Sequence, residues 1–424
     1  MANTDYDVII IGAGIAGCCC ATLCARAGLS VLLLERATQP GGKNLSGGKL
    51  YSYAFDAIFP QFSRTAPVER QITHEKLTAL ATRSATTVEY LHHDENAFSV
   101  LRGRLDPWLF AEAERAGAQC LASVQVDGLI KENGAVSGVR IDGETLTAKA
   151  VAISEGANTL LAEQHQLVTK LPEYAVAIGV KEVLSLPRGV LEDRFSLEGN
   201  AGTAWLFTGG VCADKPAGGF IYTNQETLSV GIVCPLASLR GTSTALPTLL
   251  DNFKQHSVLR PLLHKAELME YGAHLIPECG LEGVPDRLGG RGYLLMGDSA
   301  RFCVNTGLTI RGMDLAALSA QAAAQTLIET VHEDSNSDLH DLYRQHLTLT
   351  GLWALMKHYQ KTPRFLQNPA LFSVYPEMLA AIQREIYCAN ATPPPRLTAI
   401  LWRHIRQFGL NRLFRDMVEG GRSL

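Results

Sequence analysis

The sequence predicts an α/β composite fold: a parallel-sheet domain that is discontinuous along the chain, an inserted antiparallel-sheet domain and a helical C-terminal region. Three observations carry this. "YDVIII" (Tyr6–Ile11) is an apolar, β-branched run, and Gly12, Gly14 and Gly17 follow it at once. A second apolar run ending in Gly-Asp, "GYLLMGD" (292–298), recurs far down the chain and leads into a small-residue stretch over 311–330. Between them, 175–183, 205–208, 218–223 and 227–234 have the β-branched and aromatic content of strands.

The first element decides most. The 18 residues of 8–25, "VIIIGAGIAGCCCATLCA", carry no charge and hold Cys18, Cys19, Cys20 and Cys24. They admit three readings: a membrane span, a metal or redox site, or a nucleotide-binding turn. Eighteen residues is marginal for a span, and glycines break the run. Asp5 and Asp7 precede it, with no Lys or Arg, which is the wrong flank for a signal peptide. No C-x-x-C or H-x-x-x-H pair occurs among the ten cysteines and twelve histidines, so no local motif supports a metal site.

The third reading has its full context. After the glycines a helix runs to Ala27-Gly28, then "SVLLL" (30–34) reads as a second buried strand ending in Glu35, 18 residues past Gly17. This is the β-α-β fingerprint of a Rossmann-like dinucleotide-binding domain. Gly12 permits the tight turn, Gly14 lets backbone approach a pyrophosphate, and Gly17 lets the helix pack closely. Unpaired N–H groups of the helix start attract the phosphates, and Glu35 can accept from ribose hydroxyls. The cysteines then serve as small hydrophobes. Redox sensitivity of Cys18 and Cys19 stays open, because a helix N-terminus can lower a thiol pKa.

The strand ending in Gly297-Asp298 points to FAD rather than NAD, because an Asp there can hold a ribityl hydroxyl; a plain helix N-cap is the competing reading. A net charge of −4 argues against a nucleic-acid binder. Scattered cysteines fit a reducing cytoplasm.

Here the sequence resembles the flavoprotein family of FixC and the electron-transfer-flavoprotein:quinone oxidoreductases, within the geranylgeranyl-reductase and aromatic-hydroxylase superfamily. The likeness runs nearly full length, through "GGKNLSGGKLYS" (41–52), "APVERQITHEKL" (66–77), "SVLRGRLDPWL" (99–109), "GGFIYTNQETLSVGIVC" (218–234) and "NTGLTIRGMDLA" (305–316). It implies that Gly12, Gly14, Ile15, Ala16 and Gly17, with Glu35 and Arg36, hold the adenosine diphosphate half of FAD. It implies that Lys43, Asn44, Gly47 and Gly48 lie in a segment crossing near the flavin ring, that Arg102 reaches the phosphate side, and that Val126 joins the site. Glu155 and Gly156 stand where the family usually has Asp-Gly, so Glu155 is a supporting site residue. Gly297 and Asp298 complete the chain of contacts. Thr306, Gly307 and Leu308 open a turn, up to Gly312, that presents backbone N–H groups to the flavin pyrimidine edge, where a helix N-terminus would stabilise reduced flavin.

The resemblance implies an FAD-dependent electron-transfer oxidoreductase that accepts electrons from an electron-transfer flavoprotein and passes them to quinone or a ferredoxin-like iron–sulfur partner. No catalytic residue beyond the cofactor and no metal is expected. Only Cys388 lies in the last 120 residues, so any iron–sulfur cluster belongs to a partner. A polyprenoid or lipid double-bond reductase, a flavin monooxygenase and a relay subunit without turnover of its own stay open as alternatives.

The expected domains are 1–75, 98–165 and 290–330 for FAD, 166–289 for the antiparallel sheet over the flavin, and 331–424 for the helical region. Trp205, Phe207, Phe220 and Tyr222 are pocket candidates, with core packing the favoured reading. His274 and Glu278, in "YGAHLIPECG", are weak acid–base candidates. Leu397, Ile400, Leu401, Ile405 and Phe408 recur at helical spacing beside Arg403 and Arg406, and 391–424 carries six Arg against one Asp and one Glu. A helix docked on the protein's own core is favoured there over a membrane-surface face. The expected location is cytoplasmic, with peripheral contact at the inner face of the membrane as the open alternative.

Overall fold

A computed structural model describes residues 4–42, 47–212, 215–241, 243–331, 338–389, 391–393 and 395–424. Strands and the helices discussed are numbered in chain order.

The first sheet is built on β1 (Tyr6–Ile11), β2 (Val31–Leu34), β7 (Gln119–Leu121), β10 (Glu144–Ile153) and β17 (Tyr293–Leu295). These run parallel in the order β17-β10-β1-β2-β7. β16 (Gly289–Gly290) edges β17, while β8 (Gly128–Glu132) and β9 (Ala135–Ile141) extend β10 as an antiparallel ribbon. The run from Val8 to Ile10 and all of β2 are buried, as expected for strands covered on both faces. Helix α1 (Ile15–Arg26) covers one face, together with α2 (Arg102–Arg115) and the long α4 (Met313–Thr330).

Parallel strands deliver their C-terminal ends to one side of a sheet. Gly12 follows β1, Glu35 follows β2, Ser154 and Glu155 follow β10, and Gly297 and Asp298 follow β17. Residues separated by up to 286 positions therefore face one cavity.

The second sheet has the order β15-β11-β14-β13-β12-β4-β6-β3, with β5 (Ala85–Leu91) paired to β4. Its members are β3 (Gly48–Tyr51), β4 (Val68–Leu80), β6 (Ala97–Val100), β11 (Val176–Ser185), β12 (Ala201–Gly209), β13 (Gly218–Thr223), β14 (Thr227–Pro235) and β15 (Glu267–Pro277). β11, β14, β13 and β12 form an antiparallel run, and β12 joins β4 in parallel. One face closes on a core that includes Phe195, Trp205, Ile221, Val230 and Phe253. The other face looks toward the ends of the first sheet.

The sequence places most elements within a few residues. The run 292–298 is the main shortening. Only Tyr293–Leu295 pairs as strand, because Gly297 takes a positive φ and starts a tight turn to Ala300. The strand expected at 205–208 extends to Ala201–Gly209, because β4 and β13 pair along it from both sides.

Past residue 338 the chain is helical, ending in α5 (Val374–Tyr387), α6 (Leu397–Phe408) and α7 (Leu410–Ser423). α6 docks on α5: Ile400 is buried, while Arg403 and His404 both bond Glu385. Phe408 stacks on Tyr375 at 5.9 Å. The docked reading of this helix describes its inner face, yet Leu397 and Trp402 remain more than half exposed.

Candidate functional site

The three glycines of the first turn do different work. Gly12 has φ +95°, and a Cβ on it would sit 2.3 Å from the Ser154 carbonyl oxygen. A Cβ on Gly17 would lie 1.9 Å from the Gly12 carbonyl oxygen and 2.7 Å from Ser154 Oγ. These two let the turn, α1 and the end of β10 touch. Gly14, at the N-cap of α1, opens on the cavity instead, and the nearest atom to its Cβ position is Arg102 Nη2 at 3.9 Å. No side chain caps α1. Its first N–H groups lack intrahelical acceptors and carry the positive end of the helix dipole.

The cysteines behind this turn are fully buried. Thr22 Oγ1 bonds the Cys18 carbonyl at 2.8 Å and Cys18 Sγ donates to the Ala13 carbonyl at 3.3 Å. Burial pushes the thiols of Cys18 and Cys19 well up from their ordinary value, and the Asp106 charge adds to it. Desolvation therefore outweighs the helix N-terminus, which favours the small-hydrophobe reading of these cysteines over the redox sensitivity left open for Cys18 and Cys19. Among the described residues no group of three or more His, Cys, Asp or Glu is arranged to hold a metal ion.

Around the turn, one cavity of about 940 Å³ gathers Gly12, Gly14, Ile15, Ala16, Glu35, Arg36, Gly47, Arg102, Val126, Glu155, Gly156, Gly297, Asp298, Gly307 and Leu308. Of the expected site residues, Gly17 and Gly48 stand behind its wall. Gly17 packs the helix, and Gly48 starts β3 with Met313 Cε 3.1 Å from its Cβ position. Thr306 supports the wall through its turn. Lys43 and Asn44 lie outside the described residues.

The polar groups here are tied down. Glu35 accepts from Ala13 N at 3.0 Å and Ala37 N at 2.8 Å, fixing β2 to the first turn. Arg102 forms a two-pronged pair with the buried Asp106, at 2.6 and 2.7 Å. Burial works against its charge, but the Asp106 carboxylate outweighs this and the guanidinium holds its proton more firmly than usual. Glu155 reaches the short helix α3 (Leu160–Gln164), accepting from Leu161 N and Ala162 N at 2.8 Å each. The extra methylene relative to Asp gives it that reach. Burial raises its pKa, against the pull of the two N–H groups. Burial likewise raises Asp298, with His274 and Arg102 opposing.

The 306–312 turn differs from expectation in one respect. Gly307 N donates to Asn305 Oδ1 at 2.9 Å and Leu308 N to Thr306 Oγ1 at 3.3 Å, so these amides are used inside the turn. The N–H groups left without intrahelical acceptors are those of the first turn of α4, at Met313 to Leu315, and Gly312 and Met313 line the cavity.

The second sheet supplies the far wall. Phe207, Phe220 and Tyr222 line the cavity, whereas Trp205 belongs to the core and donates Nε1–H to Thr78 Oγ1 at 2.7 Å. β11 pairs with β15 so that Gly179 opposes His274 and Lys181 opposes Gly272. Lys181 is buried, and its ammonium donates to the Gly47 carbonyl. Burial lowers its pKa well below the ordinary lysine value, with Glu270 opposing and Arg102 adding. Burial lowers His274 as well, Asp298 opposing, Arg102 and Lys181 adding. Glu278 is raised by burial to about 7, its one opposing influence being the hydrogen bond from Asn305.

Sequence reasoning missed Lys181, although a lysine inside the apolar run "AVAIGVKEVL" was a visible signal. It also missed Phe365, Leu366, Leu371, Phe372 and Leu424, which close the cavity from the C-terminal region. No local signal announces them.

An uncapped helix start, a glycine that leaves the approach open and a guanidinium beside it make a seat for a pyrophosphate, with carboxylates of Glu35 and Asp298 to either side for hydroxyl groups. The residues present thus fit a dinucleotide.

Comparison with known proteins agrees. Residues 7–154 match the family model "FAD dependent oxidoreductase", and 362–424 match "ETF-QO/FixC family C-terminal domain". The chain is 49% identical over 420 residues, 99% of both chains, to the probable electron transfer flavoprotein-quinone oxidoreductase YgcN of Escherichia coli K12. It is 42% identical over 427 residues, again 99% of both, to Protein FixC of E. coli K12. Among solved structures, a geranylgeranyl bacteriochlorophyll reductase-like protein from Thermoplasma acidophilum superposes with a TM-score of 0.72 at 19% identity, covering 94% of this chain and 95% of the other. The flavin-dependent brominase Bmp2 gives 0.65 at 15% identity, covering 95% and 98%. These two show the shared fold.

Proposed function

The chain belongs to the family of FixC and the electron-transfer-flavoprotein:quinone oxidoreductases, FAD-dependent enzymes, and we propose that it takes electrons from an electron-transfer flavoprotein and delivers them to a quinone. The observation that carries this reading is the 49% identity, over 99% of both chains, to the E. coli protein named for that activity.

When bound, FAD supplies the electron exchange itself. The chain's own residues bind and orient it. The start of α1 and Arg102 hold the pyrophosphate, Glu35 the adenosine ribose, and Asp298 the ribityl chain. Gly47 and the first turn of α4 line the part of the cavity that would take the flavin ring, where the helix dipole would stabilise negative charge. Phe207, Phe220 and Tyr222, with Phe365 and Leu366 from the C-terminal side, offer apolar walls to a second, apolar reactant.

A ferredoxin-like iron–sulfur protein is the further redox partner in this reading, since no cluster ligands are grouped among the described residues. No helix among them is long and apolar enough to cross a membrane. Leu410, Phe414 and Met417 are exposed at helical spacing on α7, and the same helix carries Arg412 and Arg415, which pair with Asp416. This supports a peripheral contact with the membrane that carries the quinone.

The test is anaerobic turnover of the FAD-loaded chain with ubiquinone-1. Flavoprotein-dependent quinol formation is expected, with slow oxygen consumption in a parallel aerobic assay. Rapid NAD(P)H oxidation by oxygen with an aromatic substrate, or saturation of a polyprenoid double bond without quinol formation, would replace this reading.

A further inference from the structure

Reduction of a quinone consumes two electrons and two protons, and the reading above accounts for the electrons alone. We propose that Glu278 is the acid that protonates the quinone oxygen during this reduction. The inference rests on the quinone reading and adds the proton donor to it.

The geometry singles out this carboxyl. Glu278 lies one residue beyond β15, on the cavity wall. Gly307 N, which can only donate, gives its proton to Asn305 Oδ1 at 2.9 Å. That fixes the Asn305 amide so that its Nδ2–H₂ end faces Glu278 Oε1, at 3.2 Å. Oε1 is thus an acceptor whether the acid is charged or neutral. Oε2 has no protein partner among the described residues and is the oxygen left to carry a proton toward the cavity. Leu366 and Leu424 pack against Gly307, with side-chain carbons 3.7 and 2.6 Å from its Cβ position. The acid therefore sits where the apolar C-terminal wall meets the turn.

The other carboxyls of the cavity are otherwise engaged. Both oxygens of Glu155 cap α3, Glu35 braces the first turn, Asp127 accepts from Asp142 N, and Asp298 faces the Arg102 guanidinium and the His274 ring. Among the described residues no cation pairs with Glu278. The ionisable groups that face it are thiols: Cys234 of β14, Cys279 beside it in the chain, and Cys303 after β17. The hydrogen bond with Cys212, and then burial, push Cys234 up, while burial raises Cys303 and takes Cys279 to about 11, so all three are neutral and leave the acid's charge uncompensated. Arg301 acts on Cys279, not on Glu278. With burial unopposed except by one amide, the acid titrates near 7, where a group serves well as a proton donor at neutral pH.

In the step, the O–H bond at Glu278 Oε2 breaks and a quinol O–H bond forms, leaving the carboxylate. The electrons come from the reduced cofactor. Both quinol protons derive from water in the net reaction, one of them by way of Glu278, which is reprotonated from solvent.

The experiment is anaerobic stopped-flow. The holoenzyme's FAD is first photoreduced, then mixed with ubiquinone-1 between pH 5.5 and 9. In wild type the reoxidation rate should fall about tenfold per pH unit above the acid's pKa. Glu278→Gln keeps the shape and the Asn305 bond. It should slow reoxidation at low pH by about 10²–10⁴-fold and flatten the profile, while Glu278→Asp keeps a break. Redox-difference infrared spectra should show a protonated-carboxyl band in wild type that Glu278→Gln lacks. A Gln variant with normal FAD content and the wild-type pH profile, or with the band intact, overturns the proposal. A wild-type holoenzyme that no quinone reoxidises overturns the quinone reading itself, and the proposal with it.

Discussion

Gly14→Ala and Gly17→Ala, three residues apart in one motif, should fail in opposite ways. At Gly17 the new methyl would lie 1.9 Å from the Gly12 carbonyl oxygen and 2.7 Å from Ser154 Oγ. Ordinary contact begins near 3.4 Å, so backbone must move by about 1.5 Å to relieve it. Overpacking of this kind costs about 1–3 kcal/mol. The gain in helix propensity, up to about 1 kcal/mol, offsets only part of it. At Gly14 the backbone has φ −79°, which any residue adopts, and the nearest atom is 3.9 Å away. That methyl costs the apoprotein nothing but stands where the pyrophosphate must approach. Chemical denaturation of the apoproteins and fluorescence titration with FAD separate the two. Gly17→Ala should lower apoprotein stability, and Gly14→Ala should leave it unchanged while weakening FAD binding at least tenfold, about 1.4 kcal/mol. Full FAD affinity in Gly14→Ala, or an undisturbed apoprotein in Gly17→Ala, would refute the assignment of roles within the turn.

Lys181→Met should stabilise the apoprotein at neutral pH. A buried lysine has a folded pKa below its unfolded one, so the unfolded chain binds more protons and wild-type stability rises with pH. The variant's advantage should therefore shrink as pH climbs toward the free lysine value in pH-dependent denaturation. For Glu278 the sign reverses: its folded pKa of about 7 lies above the ordinary 4.5, so the folded chain holds the extra proton. Wild-type apoprotein should lose stability relative to Glu278→Gln as pH rises from 4.5 to beyond 7, by up to about 3 kcal/mol. Replacing Cys18, Cys19, Cys20 and Cys24 together by Ala should leave FAD affinity within about twofold. In native wild type a thiol reagent should label the exposed Cys388 and spare those four.

What the sequence made legible is governed by local backbone geometry. Gly12, Gly14 and Gly17 announce their roles because a turn, a close approach and a helix–strand contact each need a missing Cβ within a few residues. Glu35 and Asp298 were legible because each ends a buried parallel strand. The wall opposite was not. Lys181, His274 and Glu278 reach the cavity through the pairing of β11 with β15, a register set by partners some 90 residues apart. His274 and Glu278 stood out in sequence only as weak candidates, since no period or spacing distinguishes a cavity face from a core face. Gly307 and Leu308 line the cavity wall. Their amides, however, serve the turn, because Asn305 and Thr306 accept from them locally. The return of Leu366 and Leu424 to the turn at Gly307 depends on packing of the helical C-terminal region and left no mark in either segment alone.

The central claim is that electrons enter from an electron-transfer flavoprotein and leave to a quinone. Anaerobic stopped-flow mixing of the oxidised, FAD-loaded chain with a reduced two-subunit electron-transfer flavoprotein tests it most directly. The account predicts bleaching of the bound flavin by the partner, and its return on a second mix with ubiquinone-1. A flavin that stays oxidised with the reduced flavoprotein, yet is rapidly bleached by NADPH, would contradict it.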